Sequence, residues 1–153
     1  MAQPKQQGID ISQLSLEQLN TFKQQFEEEV QVLSNSWQQL KLASARFTDS
    51  KDALSAIKTE NEGKAMLVPL TTSLFVPGQL TNTEQVLIDI GTGYYVTKPV
   101  KQASDFFDRK IKMINDNADQ VAQAVSVKRK NLESVLLVMQ QKIGQMQGQA
   151  EKE

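Results

Sequence analysis

Residues 66–98, MLVPLTTSLFVPGQLTNTEQVLIDIGTGYYVTK, decide the fold. Val86, Ile88 and Ile90 alternate with Leu87 and Asp89 as residues do on the two faces of a strand. Gly91-Thr92-Gly93 then breaks the run, and Tyr94-Tyr95-Val96-Thr97 follows with aromatic and β-branched residues. Two such runs joined by a short Gly-containing loop read as a β-hairpin. A second pair precedes it, residues 66–70 and 74–80, split by Thr71-Thr72-Ser73. Pro69 and Pro77 each lack a ladder donor, which confines them to an edge or a bulge. A hairpin alone is marginal in water, and about thirty residues of strand cannot bury their own apolar faces. Open edges would also invite other chains. The strands are therefore expected to complete a sheet with strands of partner subunits. Phe75, Val76, Leu80, Val86, Ile88, Tyr94 and Val96 are the candidate assembly residues, with burial inside the chain itself as the alternative.

On either side lies one long helical pattern. Ser15-Leu16-Glu17-Gln18 is a capping box, and Leu14 and Leu19 stand where a hydrophobic staple would close. Leu19, Phe26, Leu33, Leu40, Phe47 and Leu54 recur every seventh residue, with Phe22, Val30, Trp37, Ala43 and Ile57 between them. Sustained heptads with charged or Gln residues between predict a coiled coil. Gly63 supplies the stop, so the helix is expected over residues 15–62, about 48 residues or ~72 Å. Beyond the strands, Pro99 suits a first helical turn. From Phe107 through Ile111, Ile114, Ala118, Val121, Val125, Lys128, Leu132 and Val135 to Met139 the spacing alternates between four and three, and Lys128 is the one polar member. This predicts a second helix over residues 99–147, with tails at 1–14 and 148–153.

Helices of similar length joined by a compact β segment fold back antiparallel. The predicted class is α+β, mostly α: a long antiparallel coiled-coil hairpin with two β-hairpins (residues 63–98) at its closed end. With Glu62 opposite Pro99, Phe26 would face Val135, Phe22 Met139 and Gln18 Ile143. Glu27-Glu28-Glu29 and Lys128-Arg129-Lys130 then lie within about a turn of each other, which weak stalk ion pairs explain.

Composition excludes several kinds of chemistry. The chain of 153 residues has no Cys and no His, which removes disulfides, Cys/His zinc sites and His-dependent triads. Its acidic residues show no converging pair for acid–base work. The Gly91-Thr92-Gly93 loop lacks the third Gly and following helix of a dinucleotide cradle. Neither an enzyme nor a cofactor is expected. A net charge of −1 with mixed signs argues against a nucleic-acid partner. No apolar run approaches the ~20 residues of a membrane span, so no membrane partner is expected either. The expectation is a cytoplasmic protein, with a nuclear population left open.

The ordered segments Gly63-Lys64, Leu67-Val68-Pro69-Leu70-Thr71, Phe75-Val76-Pro77-Gly78 and Val86-Leu87-Ile88-Asp89-Ile90-Gly91-Thr92-Gly93-Tyr94-Tyr95-Val96 resemble the α-class signature of the prefoldin family. Ser104-Asp105-Phe106-Phe107 and Arg109-Lys110 follow the same pattern. The resemblance covers almost the whole chain, because helix, two hairpins, helix is the α-class layout. It implies a subunit of a hexamer with one further α-class and four β-class chains, whose hairpins build a platform and whose coiled coils hold unfolded proteins. It also implies clients including actin and tubulin, and ATP-independent delivery to the cytosolic chaperonin.

The client-binding tip is then expected at the free end of the coil, at Leu14, Leu16, Leu136, Leu137, Met139, Ile143 and Met146. Val135 to Met139 is a run of five apolar residues, more than one seam absorbs. The seam is expected to take Val135, Met139, Ile143 and Met146 and to leave Leu136 and Leu137 partly outside. Exposed apolar surface marks interaction sites, and Met adapts to varied partners. A wider seam that also buries Leu136 is the bland alternative. The rival to a chaperone is a coiled-coil adaptor docking a few folded partners through a saturable site.

Overall fold

The computed structural model describes residues 11–150, with side chains through residue 147. The expected tails lie in large part outside the described residues. A 3₁₀ turn (Ile11–Gln13) precedes helix α1 (Leu16–Leu54), and a second turn (Thr59–Asn61) leads to β1 (Ala65–Pro69) and β2 (Phe75–Gln79). Strands β3 (Gln85–Gly91) and β4 (Tyr94–Pro99) follow, then helix α2 (Val100–Ala150). The class is the expected one: mostly helical, with two separate antiparallel strand pairs, β1–β2 and β3–β4.

Helix α1 starts where the capping box places it. The Ser15 N–H donates to Gln18 Oε1 at 2.9 Å, and the Gln18 N–H donates to Ser15 Oγ at 3.2 Å, so two orphan donors are satisfied reciprocally. The other end corrects the expectation. The helix stops at Leu54, not at Glu62, and Ile57 lies beyond it. Ser55, Ala56 and Ile57 donate to the carbonyls three residues back, which tightens the last turn. The Ala56 carbonyl then accepts from Lys58 N–H and from Asn61 Nδ2 at 2.6 Å, leaving nothing for a further helical bond. Gly63, with φ +77°, serves the entry to β1 instead, where its N–H donates to the Leu80 carbonyl at 2.7 Å.

The chain forms two compact units. In the first, residues up to 39 pair with residues from 118 onward, and Leu19, Ala118 and Val135 are buried. Lys142 Nζ donates to the Leu14 carbonyl at 2.7 Å, and Lys128 Nζ lies 2.6 Å from Glu29 Oε2 and 5.4 Å from the centre of the Phe26 ring. The helices are thus antiparallel, but the expected register is displaced. Glu29 meets Lys128 where counting from Glu62 and Pro99 placed Leu132, a shift of roughly one turn. Helix α1 ends at Leu54 and α2 begins at Val100, so Glu62 and Pro99, from which that count starts, both lie outside the helices.

The second unit, residues 40–117, carries the strands and its own helical pair. Ala103 and Ile114 are buried there. Ser44 Oγ donates to Asn115 Oδ1 at 3.1 Å, the Phe47 and Phe107 rings stand 6.1 Å apart, and Lys51 Nζ lies 2.6 Å from Asp108 Oδ1.

The Gly91-Thr92-Gly93 loop is the hairpin turn that the sequence predicts. All three residues have positive φ (106°, 53° and 82°), and Asp89 Oδ1 accepts the Gly91 N–H at 2.7 Å beside a register shift.

Candidate functional site

Two surfaces carry exposed apolar side chains, one in each unit. The first is the pair of hairpins. A two-stranded sheet leaves both outer edges open, and β1–β2 and β3–β4 are not hydrogen-bonded to each other. Their large side chains face solvent to a degree that is unusual for strands. Leu67 and Leu70 of the first hairpin region and Leu87, Tyr94 and Tyr95 of the second are each more than half exposed. Exposed apolar side chains in this number are candidates for contact with another chain.

Of the predicted assembly residues, Phe75, Tyr94 and Val96 are exposed, and Val76, Leu80 and Val86 are half-buried. Ile88 corrects the expectation of burial by a partner, because its own chain already buries it to 4 % exposure. It shares a cavity wall with Phe47, Phe106 and Phe107 of the helices. Leu67, Leu70, Leu74, Leu87, Ile90 and Tyr95, which that prediction does not name, are exposed as well. The period of two signals Leu87 and Tyr95, on the faces opposite Ile88 and Val96, whereas Ile90 shares the face of Ile88.

The second surface lies where α1 begins and α2 ends. Val135 takes its seam position, Met139 is half-buried, and Leu14 and Leu16 are half-buried. Leu137 stands 60 % exposed and Leu136 is also on the outside. Ile143 and Met146, expected in the seam, are instead exposed, Met146 to 60 %. With the register displaced, Lys142 already reaches Leu14 at the start of α1, so the α2 residues beyond it have little of α1 to pack on. Ser15, Leu16, Glu17, Lys142, Gln145 and Met146 line an open cavity of about 490 Å³ there. Leu16 and Met146 give it apolar walls, and Glu17 and Lys142 give it one charge of each sign.

Between these residues and the rest of the first unit sits the Glu29–Lys128 pair. The Lys128 ammonium, hydrogen-bonded to Glu29, holds its carboxyl below the ordinary value of 4.5; Gln25 adds to the effect and partial burial opposes it. A lowered folded value means stabilisation that is present above 4.5 and fades as pH falls through the lowered value. We therefore expect Glu29→Gln to lower thermal stability slightly at neutral pH, with the gap to the natural chain closing in acid. Melting curves at pH 7 and pH 3 check this, and an equal gap at both would refute it.

No helix among the described residues is long and apolar enough to cross a membrane. What the fold defines is a class of protein: an antiparallel helical pair carrying two β-hairpins, with apolar residues left uncovered on the hairpins and at one helical end. The chain belongs to the prefoldin family, whose description, "Prefoldin subunit", matches residues 26–145. It is 46 % identical over 143 residues to the probable prefoldin subunit 5 of Dictyostelium discoideum, a match covering 94 % of this chain and 89 % of that one. It is 44 % identical over 140 residues to prefoldin subunit 5 of Homo sapiens, covering 92 % and 91 %. The filamentous PFD of Methanocaldococcus jannaschii, solved by electron cryo-microscopy, has the same fold. It superposes with a TM-score of 0.70 at 19 % identity, over 77 % of this chain and 98 % of that one.

Proposed function

We propose that this chain is one subunit of a heterohexameric prefoldin. In this reading it assembles through its hairpins, holds non-native proteins such as actin and tubulin at its helical end, and passes them to the cytosolic chaperonin without nucleotide. The observation that carries the client reading is the contrast within one stretch of α2. Val135 is buried at 2 % exposure, whereas Leu137, Ile143 and Met146 lie open. Apolar side chains that the fold leaves uncovered bind whatever apolar segment an unfolded chain offers. Weak contacts of this kind, repeated on several subunits, add through avidity with no tight site on any one.

The test is Leu137→Glu with Met146→Glu in the assembled complex. Both positions are exposed, so folding and assembly should be kept. Capture of denatured actin, read as suppression of its aggregation, should fall by about fivefold to tenfold, because two apolar contacts are lost and two charges must be desolvated. Capture at the natural level by an intact complex would refute the tip as the client site and favour the adaptor reading.

A further inference from the structure

In the first unit the two helices meet along a seam, and residues seven apart return to the same side of it. One flank of that seam carries two cavities. The first is the open cavity at the helical end, with Leu16 of α1 and Met146 of α2 among its walls. The second, of about 260 Å³, lies farther along and is lined by Trp37 of α1 and by Ala122, Val125 and Arg129 of α2, with Ser34 and Gln38 at its border. Trp37 stands twenty-one residues after Leu16, and Val125 twenty-one residues before Met146. Each step is three heptads, taken in opposite chain directions, so an antiparallel pair sets both cavities on the same flank, ~31 Å apart.

The rows between the cavities are largely apolar. On α1, Lys23 and Val30 fall at the same heptad position as Leu16 and Trp37. On α2, one row runs from Ile143 through Leu136 to Arg129 and Ala122. Ile143 and Leu136 are exposed, and Val30, Trp37 and Val125 are half-buried. The helical pair needs apolar residues in its seam alone, so Ile143 and Leu136 are surplus to it and open to a ligand. The opposite flank is charged by comparison: Val32, roughly 140° around α1 from Trp37, shares its cavity with Gln25, Glu28, Glu29 and Lys128.

Charge distinguishes the two ends. Arg129 is exposed and joins no ion pair among the described residues, whereas its neighbour Lys128 is held by Glu29. A guanidinium free of a carboxylate, beside an apolar cavity with a tryptophan wall, suits an acidic group that follows or precedes an apolar side chain. We infer that this flank is a track for one extended segment of a non-native chain. One apolar residue of the segment seats at Leu16 and Met146, a second seats at Trp37 and Val125, and a carboxylate beside the second meets Arg129. An extended chain rises about 3.3 Å per residue, so the two apolar residues stand about nine or ten positions apart. Once one end is seated, the other contact is intramolecular, which favours unfolded chains over a single apolar patch. The inference rests on the client reading of the helical end and extends that site along the coil.

The test uses the assembled complex, with the photo-crosslinking residue benzoylphenylalanine placed in this chain at Gln145, Ala122 or Val32, all exposed positions. Denatured actin is the probe, and its covalent adduct with this chain is read on a gel after native mass has confirmed assembly. Adducts are expected at Gln145 and Ala122 in similar yield, with about fivefold less at Val32. Arg129→Glu should lower the Ala122 adduct about fivefold and the Gln145 adduct by less than about twofold, because the repulsion acts at one end of the track. A Gln145 adduct with Ala122 no higher than Val32 overturns the track and leaves the tip reading standing. Equal yields at all three positions overturn it as well, since contact is then not confined to one flank. No adduct at any of them overturns the client reading and the track together. An Ala122 adduct that Arg129→Glu leaves unchanged overturns the pairing of a client carboxylate with Arg129.

Discussion

Ile88→Asp is expected to release the β3–β4 hairpin from its packing in the isolated chain. Ile88 is the buried residue of β3, on a cavity wall that it shares with Phe47, Phe106 and Phe107, where Lys110 is the one cation of the lining. The substitution removes a buried aliphatic side chain and puts a carboxyl at a position only 4 % exposed, so a loss of about 2–4 kcal/mol is expected. Hydrogen exchange measures it directly: the amides of Val86, Ile88, Val96 and Lys98, which bond across the hairpin, should lose protection. Leu87→Asp is the matched control, one residue away on the same strand but 65 % exposed. It should stay within about 0.5 kcal/mol of the natural chain. If the two variants behave alike, the burial of Ile88 does not hold this hairpin.

Leu19→Ala should have an effect of the same order, in the other unit. Leu19 is fully buried one turn after the capping box, at the first of the seven-residue repeats. Truncation leaves a cavity in the helical seam, and a loss of about 2–5 kcal/mol follows, depending on how far the seam collapses. Trp37 is the chain's single tryptophan and lies in the same unit, so its fluorescence during urea unfolding reports the change. Leu137→Ala, at an exposed position, should cost less than about 0.5 kcal/mol. A loss under 1 kcal/mol for Leu19→Ala would mean that the helical end is held by other contacts, of which Lys142 with the Leu14 carbonyl is the first to remove. The comparison bears on the proposed client tip, because the exposed apolar residues at this end are carried by the seam beneath them.

These two residues also mark how far the sequence can be read. Leu19 was legible because heptad spacing is a property of the helix alone: a residue that recurs every seventh position falls on one stripe whatever else the chain does. The same holds for the capping box, where donor and acceptor are three residues apart. It holds for the Gly91-Thr92-Gly93 turn, where positive φ selects glycine, and for the class of the fold, two long helices flanking two hairpins.

The candidate site was legible only by region. Alternation shows that a strand has two unlike faces, but not which one the helices cover. Val86, Ile88 and Ile90 look equivalent in the sequence, yet only Ile88 is buried; Val86 is half-covered and Ile90 open. The choice depends on where Phe47, Phe106 and Phe107 come to lie, which no local pattern contains. The register of the helices was likewise decided elsewhere. Nothing in the heptads ends α1 at Leu54; the Ala56 carbonyl, taken by Lys58 and Asn61, does. At the other end of the helices Ile143 and Met146, expected in the seam, lie on the surface. Local periodicity determined by itself which elements form and where helix α1 begins. Only the tertiary structure decided which apolar side chains stay uncovered, because exposure depends on what packs from far along the chain.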